Sequence, residues 1–193
     1  MDIVFASHNA HKRAEVEAIM ASIWPEVRLI APSGEAPEET GETFEENALL
    51  KAREGYRISG MPTIADDSGI CVDALGGDPG VRSARYSQSG EDRDNLELLL
   101  STLDTQPQRE AQFVCAVAFV ADGEEYVLER IWEGTIATEP AGEGGFGYDP
   151  VFIPDGHTVT AAELAPDEKS ALSHRGQAFQ ALADFLRVWA GGG

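Results

Sequence analysis

Residues 111–121, AQFVCAVAFVA, form an almost unbroken apolar run. It reads as a long buried strand. Asp122-Gly123 follows as a tight-turn signal, and YVLERIWEGTIA reads as the hairpin partner. That hairpin fixes an antiparallel pair. The N-terminus fixes the opposite relation. DIVFAS (2–7) reads as a short buried strand, and Ala14, Val16, Ile19, Met20 and Ile23 give residues 11–23 an amphipathic helical spacing ending before Pro25. VRLIA (27–31) then reads as a second strand, making a β-α-β start. A chain carrying both signals is α/β with a mixed sheet.

The remaining elements fill in around these. Thr43 with Glu46 makes a capping box that opens a helix running to Gly60. PTIADDSG reads as a short strand ending in a polar turn, ICVDAL as a further strand, and EDRDNLELLLSTL as a helix with acids in its dipole-favoured first turn. VFIP reads as a short strand, and the last helix starts near Ser173. The Gly191-Gly192-Gly193 tail is expected to fray.

The 193 residues are 42% hydrophobic and 25% charged, an ordinary globular composition that excludes a disordered or fibrous chain. The expectation is one large domain or two closely joined lobes over 1–193, needing no disulfide or structural metal to fold. Cys71 and Cys115 each lie inside an apolar run, the pattern of core thiols in a reducing compartment. The N-terminal segment lacks a basic region and a signal-length apolar core, so the expected location is cytoplasmic. Net charge is −20, which argues against non-specific binding to nucleic acid or an anionic membrane. A small phosphorylated ligand would need a cluster of the few cations, or metal ions held by carboxylates. Only three lysines occur, Lys12, Lys51 and Lys169, against eleven arginines. Either codon bias favours Arg throughout, or the lysines stand where a compact, mobile ammonium is needed.

Several segments carry chemistry. Gly142-Glu-Gly144-Gly-Phe-Gly147 matches G-x-G-x-x-G but runs into YDPVFIP rather than a helix, which excludes a dinucleotide fingerprint. No P-loop, Ser/His/Asp triad, zinc spacing or haem motif is present in the sequence. Ser7-His-Asn9-Ala-His-Lys12 sits at a strand-to-helix turn: either an anion site at a helix N-terminus, or an N-cap beside a solvated lysine. Asp66-Asp67-Ser68-Gly69 is either a hard-cation site or a polar turn. Glu38-Glu39-Thr40-Gly41-Glu42 either completes a metal site or is a solvated loop. Phe146 and Tyr148 on a glycine loop suit stacking on a flat base, or a small apolar cluster. Lys169, His174 and Arg175 gather donors around the start of the last helix, as an anion or carbonyl site, or as a capped helix with solvated charges.

Taken in order, ASHNAHK, EETGETFEENALLKA, ADDSGICVDALGGDPGVRSARY, EPAGEGGFGYDPVFIP and TAAELAPDEKSALSHRGQA resemble the inosine triphosphate pyrophosphatase family over nearly the whole chain. The resemblance implies a long twisted mixed sheet flanked by helices, two lobes around a central cleft, and a homodimer. It implies hydrolysis of non-standard purine nucleoside triphosphates (ITP, dITP, XTP) to monophosphate and pyrophosphate with Mg²⁺. Residue by residue, it implies a phosphate cradle from Ser7, His8, Asn9, Ala10, His11 and Lys12, with Ser68 also on phosphate. Lys51 neutralises charge, and Glu39 and Asp67 hold the metal, with Glu38 and Asp66 as helpers. Asp67 is also the base for the attacking water. Phe146 stacks on the purine, Gly147, Tyr148 and Asp149 shape the pocket, and Lys169, His174 and Arg175 donate to the 6-keto oxygen. All three lysines fall inside these motifs. Two alternatives stand beside this one: a related pyrophosphatase for modified pyrimidine nucleotides, and a non-catalytic nucleotide sensor.

Overall fold

The computed structural model describes residues 1–191; the frayed tail expected at the C-terminus falls, apart from Gly191, outside the described residues. In chain order the elements are β1 (Asp2–Phe5), α1 (Ala10–Ile23), β2 (Arg28–Ile30), α2 (Phe44–Ser59), β3 (Thr63–Val72), α3 (Asp92–Thr102), β4 (Glu110–Ala121), β5 (Glu124–Ile136), β6 (Phe152–Pro154), α4 (Pro166–Leu172) and α5 (His174–Gly191). They build a six-stranded sheet in the order β2-β1-β3-β4-β5-β6. β1 runs parallel to β2 and to β3, whereas β6 is antiparallel to β5. The mixed α/β sheet read from the sequence is therefore the one observed. Asp122 and Gly123 both take positive φ, 49° and 84°, the turn that joins two strands with native twist.

The chain forms two compact units. The first holds Met1–Asp67, Cys115–Arg130 and the chain from His174 on. Its core sets Ile3, Phe5 and Phe119 against Phe179, Leu182 and Leu186 of α5. Phe5 meets Phe179 edge-on at 5.8 Å, and Phe119 meets Trp189 at 4.9 Å. The last helix thus buries the apolar stripe that its spacing foretold. α2 opens on the expected capping box: Thr43 Oγ1 accepts from Glu46 N, and Glu46 Oε2 accepts from Thr43 N. Such a cap contributes about 1 kcal/mol.

The second unit holds Ser68–Val114 and Ile131–Ser173. Leu99 of α3 and Leu103 at its C-cap pack with Phe113, Trp132 and Phe152, whose rings lie 4.6–6.4 Å apart.

One expectation is corrected. Asp66-Asp67-Ser68-Gly69 is no turn; β3 runs through it without a break from Thr63 to Val72. Turn statistics assume that two adjacent carboxylates want water, but here both are buried beside cations. Gly69 helps continue the strand, because a side chain there would meet Ser83 Oγ at 2.4 Å. The last helix starts at His174, beside the expected Ser173, and Lys169 lies just before it in a separate short helix, α4, with Pro166 in its first turn.

Candidate active site

In the first unit, four elements bring charge to one place. Asp66 and Asp67 come from β3, Lys12 and Glu15 from α1, Lys51 from α2, and Arg175 from α5. Lys51 Nζ donates to Asp67 Oδ1 at 2.8 Å and to Glu39 Oε1 at 2.9 Å. Lys12 Nζ lies 3.4 Å from Asp66 Oδ2, and Arg175 Nε lies 3.6 Å from the same oxygen. Arg175 Nη1 also donates to Glu15 Oε2 at 2.5 Å. Asp66, Asp67, Lys51, His174 and Arg175 are all buried.

Burial and pairing pull the two adjacent acids apart. Desolvation works against ionising Asp66, but Lys12, Arg175 and Lys51 outweigh it and hold its carboxyl down at about 2. Asp67 goes the other way: burial, reinforced by the charge of Glu39, holds it above its ordinary value despite Lys51 and Lys12. Burial acts to lower Lys51, yet Asp67, Asp66 and Glu39 raise it overall. Lys51 and Asp67 therefore both hold protons more tightly than usual, the signature of a pocket that favours added positive charge.

The cradle at the start of α1 is partly organised already. Asn9 is the N-cap, and its side chain accepts from Lys12 N at 3.0 Å. Ser7 is buried, whereas His8, Ala10 and His11 are exposed; His8 Nε2 lies 3.0 Å from the Gly34 carbonyl oxygen. Lys12 is not solvated, with only 14% of its side chain exposed. Glu39 joins Lys51 and is not a solvated loop acid, while Glu38 is exposed.

The second unit carries Ser68, half-buried on β3, and the glycine loop. Lys169 Nζ donates to Asp149 Oδ2 at 2.7 Å, and the Phe146 amide donates to the same oxygen at 2.9 Å. Lys169 Nζ also stands 5.7 Å from the Phe146 ring centroid. Phe146 and Gly147 are half-buried, but Tyr148 is core: it is 5% exposed, and its hydroxyl donates to Ser83 O at 2.9 Å. Of the two loop aromatics, Phe146 is the more exposed.

Two participants went unread in the sequence. Asn47 donates to Asp67 Oδ2 at 3.3 Å and accepts from Gly41 N at 2.8 Å, tying the Glu39 loop to the acid. It precedes Lys51 by four residues, so helical spacing could have found it. Glu15 follows Lys12 by three and was findable the same way. Among the described residues, no group of three or more His, Cys, Asp and Glu side chains converges as a ready metal site.

A sequence model described as the Ham1 family matches residues 3–185. A dITP/XTP pyrophosphatase from Leifsonia xyli subsp. xyli is 47% identical over 190 residues, covering 96% of each chain. One from Mycobacteroides abscessus is 50% identical over 196 residues, covering 97% of this chain and 95% of its own. Among solved structures, a HAM1 protein from Coxiella burnetii superposes with a TM-score of 0.87 at 41% identity, covering 97% of this chain and 98% of that one.

Proposed function

The chain belongs to the Ham1 family, and from that premise we infer its reaction: it hydrolyses non-standard purine nucleoside triphosphates, dITP and XTP among them, to the monophosphate and pyrophosphate. The observation that carries the site assignment is the ammonium of Lys51 held between Glu39 and Asp67.

The cofactor is Mg²⁺, with Glu39 and Asp67 as its protein ligands. The donor set fits: two hard carboxylates already converge on one cation, within 2.9 Å. Mg²⁺ characteristically takes one or two carboxylates and completes its shell with water and substrate phosphate. When bound, the ion neutralises triphosphate charge and polarises phosphoryl oxygens. Asp66, engaged by Lys12 and Arg175, serves as their counter-ion rather than as a ligand.

Residues 7–12 and Ser68 bind the phosphates, with Lys12 and Lys51 supplying charge. Asp67 orients the attacking water and takes its proton. The water oxygen bonds to the α-phosphorus as the bond to the α–β bridging oxygen breaks, and pyrophosphate leaves with that electron pair. Asn47 and Lys51 keep the Asp67 carboxylate in one orientation. Phe146 stacks on the purine. Gly147 and Asp149 line the pocket, with the core residue Tyr148 supporting them from behind, and Lys169, His174 and Arg175 donate to the 6-keto oxygen. An adenine amino group meets those donors as another donor, which rejects it. The protein acts in the cytoplasm as a homodimer, and its charge of −20 keeps nucleic acid and anionic membranes away.

Turnover in ¹⁸O-labelled water tests the step. The label is expected in the monophosphate; label in the pyrophosphate would overturn attack at the α-phosphorus.

A further inference from the structure

Four successive residues of the glycine loop are each anchored differently. Phe146 N donates to Asp149, Tyr148 Oη donates to Ser83 O, and Asp149 accepts from Lys169. Gly147 N donates at 2.9 Å to Oδ2 of Asp92, fifty-five residues away in sequence. Asp92 is exposed and opens α3. A reading from sequence alone leaves it to the helix dipole.

Gly147 differs from its neighbour Gly145 in what fixes it. At Gly145 an added Cβ would lie 2.0 Å from Asp149 Oδ2, so packing holds the backbone. At Gly147 φ is +60° and nothing lies within 4 Å of such a Cβ. Sterics impose nothing there, and glycine is the residue with most freedom to lose. The bond to Asp92 holds the N–H side of that peptide, whose carbonyl, Phe146 O, accepts from Asp149 N at 3.2 Å. Its base is firm: one turn into α3, buried Asn95 donates to Ala84 O and Gly90 O and accepts from Ser87 N.

We propose that Asp92 is a positioning residue for base recognition: by holding the Gly147 amide it sets the orientation of the adjacent Phe146 ring before substrate arrives. This rests on the reading of Phe146 as the base-stacking residue. Holding a loop in its bound shape raises affinity by removing the ordering cost from binding.

The test compares Asp92→Ala and Asp92→Asn with dITP as substrate and inorganic tripolyphosphate as a base-free inhibitor. Asp92→Ala is expected to raise KM for dITP about five- to tenfold, with tripolyphosphate inhibition unchanged. Asp92→Asn, whose side-chain oxygen still accepts, restores KM. An unchanged KM in Asp92→Ala, an equal weakening of tripolyphosphate, or no rescue by Asn each overturns the proposal. Phe146→Leu separates the two levels. If it raises KM while Asp92→Ala does not, only the role of Asp92 fails; if neither raises KM, the stacking reading fails as well. Should Asp92→Ala not fold, hydrogen exchange at the Gly147 amide of the unaltered protein decides: slow exchange supports the restraint, and fast exchange overturns it.

Discussion

The charged cluster of the first unit and the glycine loop of the second are built by opposite means. In the cluster, Lys12, Lys51, Asp66, Asp67 and Arg175 stand on helices and strands, and each charge is fixed by a partner of opposite sign. In the loop, Gly142, Gly145 and Gly147 take positive φ, and single hydrogen bonds hold what packing does not. Phosphoryl transfer is mostly positioning and charge neutralisation, which rewards rigid, buried charge. Reading a flat base requires close approach of backbone, which rewards glycine. The lysines gather at these two places, and Arg175 joins them at the first. All three lysines pair with aspartates at these two places, and Lys51 and Lys169 are buried. Arg28, Arg53, Arg57, Arg82 and Arg93 instead pair on the surface with more than half of each side chain exposed. That distribution favours the mobile-ammonium reading over codon bias alone.

If the cluster does the chemistry, variants of its acids and lysines should lose turnover, and variants of the loop and of the proposed base donor Arg175 should lose affinity or selectivity. Asp67→Asn is expected to lower kcat about 10²- to 10⁴-fold, the usual worth of a general base. Nucleotide binding by calorimetry should survive; retained turnover removes Asp67 from that role. Arg175→Ala tests both stability and selectivity. It leaves half-buried Glu15 and buried Asp66 without this cation, so urea unfolding should show a loss of about 3–5 kcal/mol. It should also narrow the preference for ITP over ATP, and an unchanged ratio argues against base readout there.

Acid should expose the cluster next. The carboxyl of Asp66 sits at about 2 in the folded protein, below its ordinary value of 3.8. Its stabilising contribution, on the order of 2 kcal/mol, is therefore present above pH ~4 and is lost as pH falls toward ~2. Unfolding free energies of the unaltered protein and Asp66→Asn should converge over that window; parallel curves would contradict the pairing. The smallest effect belongs to the loop. Phe146→Leu should raise KM about tenfold, within the range for base stacking on an aromatic ring, with kcat little changed.

The same contrast explains what could be read in advance. The long apolar strand, its Asp122-Gly123 turn and the Thr43–Glu46 box were readable because each is a local pattern with a local cause. The DDSG tetrad misled for a non-local reason: Lys12 and Lys51, far off in sequence, make the acids tolerable inside a strand. Tyr148 looked like a loop aromatic because nothing local shows its hydroxyl reaching Ser83 O. Asn47 and Glu15 lie one turn from residues already singled out, and helical periodicity alone would have added them. Asp92 had no signal at all, since an acid in a first helical turn already has a sufficient local explanation.

Pyrophosphate release from ITP, dITP, XTP, GTP and ATP, with Mg²⁺ and again with a chelator, tests the account most directly. It predicts release from the first three, little from GTP and ATP, and none without metal. Folded protein that binds these nucleotides yet releases pyrophosphate from none of them would contradict it, and would make the cluster a sensor's binding site.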